Sequence, residues 1–142
     1  MNSIPLTFDV ETTDPDAKLG LRVKINNTVV YDNPHVTELC HVSQEIDDDE
    51  GNHMLEFELF GKLPEHTKID ESGEILQDAM LKISNIQFDN ISVEQIISPE
   101  YHHDFNGTQS PLVDEFFGSM GCNGTVRLQF STPIYLWLLE NM

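Results

Sequence analysis

Positive charge is scarce in this chain. Its 142 residues hold 7 Lys and Arg against 25 Asp and Glu, a formal net charge of −18. Nucleic-acid affinity rests on Lys and Arg displacing counterions from phosphates, so no nucleic-acid partner is expected, and an anionic membrane surface is disfavoured for the same reason. Cations, neutral polymers such as glycans, and other proteins stay open as partners. Cysteine is scarce too. Cys40 and Cys122 are too few for a disulfide framework and read either as small buried hydrophobes or as one bridge. The longest apolar run, Ile134 to Leu139, falls far short of the roughly 20 residues of a membrane span. The opening MNSIPLTFDVE lacks the basic and apolar stretches of a secretory signal, so synthesis in the cytoplasm is expected. No G-x-S-x-G elbow, phosphate loop or G-x-G-x-x-G occurs, and the expectation is a protein that is not an enzyme.

Hydrophobic residues make up 39% of the chain, enough to close a core, and its length suits one domain over 1–142. The dominant period is two. Leu19, Leu21, Val23 and Ile25 alternate with Gly20, Arg22 and Lys24, and Asn26-Asn27 then turns the chain into Thr28 to Tyr31. Val36 to Ile46 and Met54 to Leu63 are extended arms around the acidic turn 47–52, which predicts a hairpin. Met80 to Phe88 and Ile91 to Ile97 flank an Asp89-Asn90 turn, and Thr125 to Ser131 alternates again. Residues 64–77 read as a loop and 98–124 as the longest irregular region, with one short helical turn conceivable over Leu112 to Phe117. Ile134 to Leu139 closes the chain as a last strand. The expected fold is all-β, an antiparallel β-sandwich of jelly-roll type with eight or nine strands.

Two places carry candidate chemistry. Asp47, Asp48 and Asp49 crowd hard oxygen donors into one turn, which suits either a solvated hairpin tip or a calcium site. Tyr101, His103 and Asp104, in a Gly-containing loop, could contact a sugar hydroxyl or an ion. Trp137 shares a strand face with Tyr135, where the pair could stack on a sugar ring or pack in a core or subunit contact.

The strand blocks Leu21-Arg22-Val23, His53-Met54-Leu55-Glu56-Phe57 and Asp78-Ala79-Met80-Leu81-Lys82-Ile83 resemble those of calcium-dependent xylan-binding modules, over about residues 19–97. The resemblance implies a jelly roll, a glycan ligand, calcium as cofactor and Asp78 as a further ligand to it. The Asn-Asp pair that helps hold calcium in that family is Gly61-Lys62 here. The segment His103-Asp104-Phe105-Asn106-Gly107, with Phe117-Gly118-Ser119-Met120-Gly121-Cys122-Asn123-Gly124 and Pro133-Ile134-Tyr135-Leu136-Trp137, is similar to small uncharacterised proteins of tailed phages infecting marine cyanobacteria. That implies a phage product made in the host cytoplasm, with a place in the virion.

Three readings result. The first is a non-catalytic binding module for glycan recognition or virion attachment, assisted by calcium. The second is a structural virion subunit that packs against itself or another virion protein through its C-terminal strand. The third is an acidic inhibitor that mimics DNA.

Overall fold

The computed structural model describes residues 3–61, 67–69, 71–72, 75–93, 99–103, 113–116, 118–120 and 123–141, with the backbone alone at 67–69, 75–78, 103 and 113–115. Two antiparallel sheets enclose one core. The first contains β1 (Ser3–Thr12), β4 (Cys40–Asp47), β8 (Leu81–Phe88), β9 (Ile91–Ser92) and β12 (Ser119–Met120). Its order is β12-β8-β1-β4, with β9 sharing the outer edge of β8 with β12. The second holds β2 (Gly20–Ile25), β3 (Thr28–Asn33), β5 (Gly51–Phe60), β10 (Glu100–His103), β11 (Val113–Glu115) and β13 (Gly124–Thr132), in the order β11-β10-β13-β5-β2-β3. A separate hairpin joins β6 (Thr67–Ile69) to β7 (Ile75–Asp78), and α1 (Ile134–Asn141) ends the described chain. The chain passes from one sheet to the other between β1 and β2, β3 and β4, and β4 and β5, whereas β2–β3, β8–β9 and β10–β11 stay within a sheet. Of the thirteen strands among the described residues, nine have four or more residues.

Alternation builds the interior. Leu6, Phe8 and Val10 of β1 and Leu55, Phe57 and Leu59 of β5 are all essentially inaccessible to solvent. Phe8 meets Phe57 edge-on across the sandwich with ring centroids 5.0 Å apart, and Phe88 meets Phe130 at 4.8 Å. These aromatic pairs join the two sheets and add about 1 kcal/mol each beyond the area they bury. Both expected two-residue turns form with their residues in the left-handed region. Asn26 and Asn27 have φ of 52° and 68°, and Asp89 and Asn90 have 50° and 68°. Asn and Asp tolerate this conformation, and the handedness of such turns matches strand twist.

The structure corrects several expectations. Residues 47–52 are no hairpin tip. β4 pairs with β1 in one sheet while β5 pairs with β2 and β13 in the other, so the acidic turn is a crossover between sheets. Periodicity reports which side chains face inward, and it does not say which strand lies alongside. The partner of β4 is Ser3–Thr12, a segment the sequence reading left without a role. The expected loop 64–77 contains β6 and β7, and the expected irregular region 98–124 contains β10, β11 and β12. Val113–Glu115 is extended against β10 rather than helical, while Leu112 and Phe117 lie outside the described residues. Cys40 is a half-buried free thiol, and Cys122 lies outside the described residues.

The largest correction is at the C-terminus, where the expected last strand is the helix α1. A run that is apolar at every position carries no period, so strand and helix look alike in it. Ile134, Trp137 and Leu138 turn inward at helical spacing, while Tyr135, Leu136 and Leu139 turn outward. Tyr135 and Trp137 therefore share no face. Pro133 precedes the helix as its N-cap residue, and its carbonyl accepts from the Trp137 amide at 3.4 Å. Proline has no capping oxygen, and Asp48 supplies one from the β4–β5 crossover, accepting the Ile134 amide at 2.7 Å. Outside, the Tyr135 hydroxyl donates to the Asp89 carboxylate.

Asp48→Ala should lower unfolding free energy by about 1 kcal/mol in urea denaturation through loss of the cap, and Asp48→Asn should retain most of it. The bond to Asp89 raises the Tyr135 pKa above the ordinary tyrosine value. A raised folded-state pKa means that the tie is intact below the usual tyrosine range and is lost as pH rises through the raised value. Burial raises the Tyr31 phenol as well, so ultraviolet titration should show both phenols ionising late, and Tyr135→Phe should remove one of them.

Candidate functional site

An open cleft of about 710 Å3 lies at the end of the sandwich where α1 folds back beside β5 and β13. Three consecutive cross-strand pairs form its floor: Met54 with Gln129, His53 with Phe130, and Asn52 with Ser131. The β2–β3 turn contributes Asn26, and α1 contributes Trp137 and Asn141. Strand alternation explains the mixture. Asn52, Met54, Gln129 and Ser131 occupy the outward phase of their strands, and His53 and Phe130 the inward phase. α1 does not cover this end completely, so both phases reach one opening. Trp137 packs edge-on against Phe88 and Phe130, with ring centroids 6.0 and 6.3 Å away. It is 8% exposed, so it offers the cleft an edge rather than a platform.

Hydrogen bonds hold one wall. The Asn26 amide donates to the Met54 carbonyl at 3.0 Å, and the Met54 amide returns a bond to Asn26 Oδ1 at 2.9 Å. Asn26 Nδ2 lies 2.9 Å from His53 Nδ1, and His53 Nε2 lies 2.9 Å from Thr132 Oγ1. The Thr132 hydroxyl donates to the Asp49 carbonyl in the crossover. The His53 ring stacks on Phe130 at 5.0 Å. On the other side of His53 a smaller cavity of about 210 Å3 is shared with Glu45 and Asp47 of β4.

The electrostatics of the larger cleft are neutral. Among the described residues its lining carries amides, a hydroxyl, a thioether and rings, with no carboxylate, lysine or arginine side chain. Cations further along the same outward face are occupied. Arg22 and Lys24 meet Glu58 at 3.2 and 3.8 Å, and Arg127 meets Glu56 at 3.2 Å.

Of the residues singled out from sequence, Trp137 is the one among the described residues that lines this cleft. Tyr101 is buried in β10 with its ring edge-on to Phe116 at 6.4 Å. His103 pairs through its backbone with Gly124, at the far end of β13, about 20 Å from the cleft by strand rise. Its side chain, and Asp104 altogether, lie outside the described residues. Asp48 caps α1, Asp49 gives its carbonyl to Thr132, and Asp47 ends β4 opposite Ser3. Asp78 ends β7, with its side chain outside the described set. Among the described residues no three His, Cys, Asp or Glu side chains gather around a point where an ion could sit.

The sequence reading missed Asn52, His53, Gln129, Ser131 and Asn141, and took Asn26 only as a turn residue. One signal was available. His53 holds the inward phase of a strand otherwise inward-facing with Leu55, Phe57 and Leu59. A polar ring in that phase at a strand end marks an opening in the core.

No protein family and no curated protein matches this chain. A solved structure described as vCBM60 in complex with galactobiose aligns with 89% of this chain and 96% of that one, at 12% identity and a TM-score of 0.48.

Asn26→Gly separates the turn from its side chain, because glycine keeps the positive φ while removing both side-chain bonds. Thermal unfolding should show a loss of about 1–2 kcal/mol for Asn26→Gly, and little change for Asn27→Gly.

Proposed function

We propose that this protein is a non-catalytic glycan-binding module whose sugar site is the cleft between α1 and the β5–β13 pair. The supporting observation is the lining. Asn52, Gln129 and Asn141 present amides around a floor that includes Met54 and the edges of Phe130 and Trp137. Each sugar hydroxyl is both donor and acceptor, and an amide side chain offers one of each. The C–H faces of a sugar ring suit the apolar floor. Asn141 Nδ2 is held by the Trp137 carbonyl at 2.8 Å, which orients the side-chain oxygen for a ligand. The described lining offers neutral amides and a hydroxyl rather than carboxylates, so the sugar is held by direct hydrogen bonds to these side chains.

A glycan array of neutral polysaccharides, including xylans and galactans, should give a hit that survives a calcium chelator. Asn52→Ala with Gln129→Ala, both at exposed positions, should weaken that hit at least tenfold while leaving the melting temperature within a few degrees. An array without hits, or binding unchanged by the double substitution, would rule out this site.

A further inference from the structure

We infer that His53 is a proton-operated latch on the cleft, regulating the site proposed above and resting on that reading for its effect on sugar. Two backbone groups set the polarity of the hydrogen-bond chain through this residue. At one end the Met54 amide must donate, so the Asn26 atom 2.9 Å away is the oxygen and the other side-chain atom is the amide nitrogen. That nitrogen donates to His53 Nδ1, which is therefore bare. At the other end the Asp49 carbonyl must accept, so the Thr132 hydroxyl spends its proton there and receives one from His53 Nε2. Every bond in the chain runs in one direction, and only the neutral imidazole with its proton on Nε2 satisfies all of them.

A second proton on the ring has to go to Nδ1, where it meets the Asn26 amide hydrogens. Turning the Asn26 amide around does not help, because its oxygen then leaves the Met54 amide. Uptake of a proton thus breaks at least one link between the β2–β3 turn and β5. On the other side of the ring, β4 turns Gln44 and Ile46 inward to the cavity of about 210 Å3, and Glu45 and Asp47 stand on its exposed phase. The crossover beside the ring carries Asp48, Asp49 and Glu50; the Asp48 carboxylate is engaged by the Ile134 amide, and Asp49 meets the relay through its carbonyl. β13 presents Phe130 and Thr132, the turn presents Asn26, and α1 presents Trp137. The ring is therefore tied to both Asn26 and Thr132 when neutral and loses its bond to Asn26 when charged. Asn26, His53 and Phe130 line both cavities, so the change reshapes the larger cleft.

The test uses the full chain with 15N-labelled histidine and asparagine, titrated from roughly pH 8 to pH 5, the window in which imidazoles change charge. At the upper end the nitrogen shifts of His53 should report a bare Nδ1 and a protonated Nε2. The Asn26 side-chain amide signals should then move with the same midpoint as the ring. Affinity for the xylan or galactan oligosaccharide bound best on the array should fall roughly five- to tenfold across that midpoint, the equivalent of about one hydrogen bond. His53→Gln, which cannot titrate but leaves the other histidines in place, should give a flat profile. A proton on Nδ1 at the upper end, or Asn26 signals that ignore the protonation of the ring, would overturn the latch. A pH-independent affinity in the unaltered chain would overturn its coupling to the cleft and leave the glycan reading standing. If no oligosaccharide binds at any pH, the glycan reading and the regulation of sugar binding fall together, and the spectra still decide whether the relay exists.

Discussion

The pairing of β5 with β13 is the constraint on which the rest of the structure depends. Nine residue pairs run from Gly124 with Leu59 to Thr132 with Gly51. Their inward side chains, Leu55 with Leu128 and Phe57 with Val126, form one wall of the core. Their outward side chains pass from the ion pair of Glu56 with Arg127 to the uncharged pairs Met54 with Gln129 and Asn52 with Ser131. A shift of one residue between these strands would exchange the two faces, bury the amides and expose the core. Cleft and core therefore share one register, and the apolar burial that specifies it also places the polar groups at the sandwich end.

The crossover at residues 47–50 links the two sheets and the helix. Asp48 caps α1, and the Asp49 carbonyl terminates the relay through Thr132 and His53. Oxygen atoms that look available in sequence are engaged in holding the C-terminal helix and the end of β13. The dense acid of this turn is thereby partly structural. The surplus of negative charge elsewhere tends to keep copies of the chain apart in solution. The satisfied polar groups near the cleft follow the same rule as the buried Asp9, which accepts from Asn85 Nδ2 at 2.7 Å and meets His41. A polar group near the core is tolerated where each of its bonds is made.

Much of the fold was legible and much of the site was not. The hairpin of β2 and β3 could be read because Asn26-Asn27 combines a turn signal with alternation on both sides, and its partners are adjacent in sequence. β13 could be read from Val126, Leu128 and Phe130 alone. The pairing of β1 with β4 could not, because those strands are separated by β2 and β3 and their side chains carry no mark of the partner. Trp137 was singled out and does line the cleft, although the reason offered, a face shared with Tyr135 on a strand, fails because the segment is helical. Tyr101 was grouped with Trp137 by its aromatic character, whereas the register puts it near the opposite end of β13.

The sequence by itself determined the local rules: which residues of each strand face inward, where the Asn and Asp turns fall, that the surface is strongly acidic, and that the core closes as all-β layers. Those follow from near-neighbour sterics and from the period of two, which act within a few residues. Only the tertiary structure decided which strands lie side by side, that an unpatterned apolar run ends the chain as a helix, and that amides from the β2–β3 turn, β5, β13 and α1 surround one opening. Those depend on contacts between residues as far apart as Asn26 and Asn141, and such contacts leave no periodic trace in either segment.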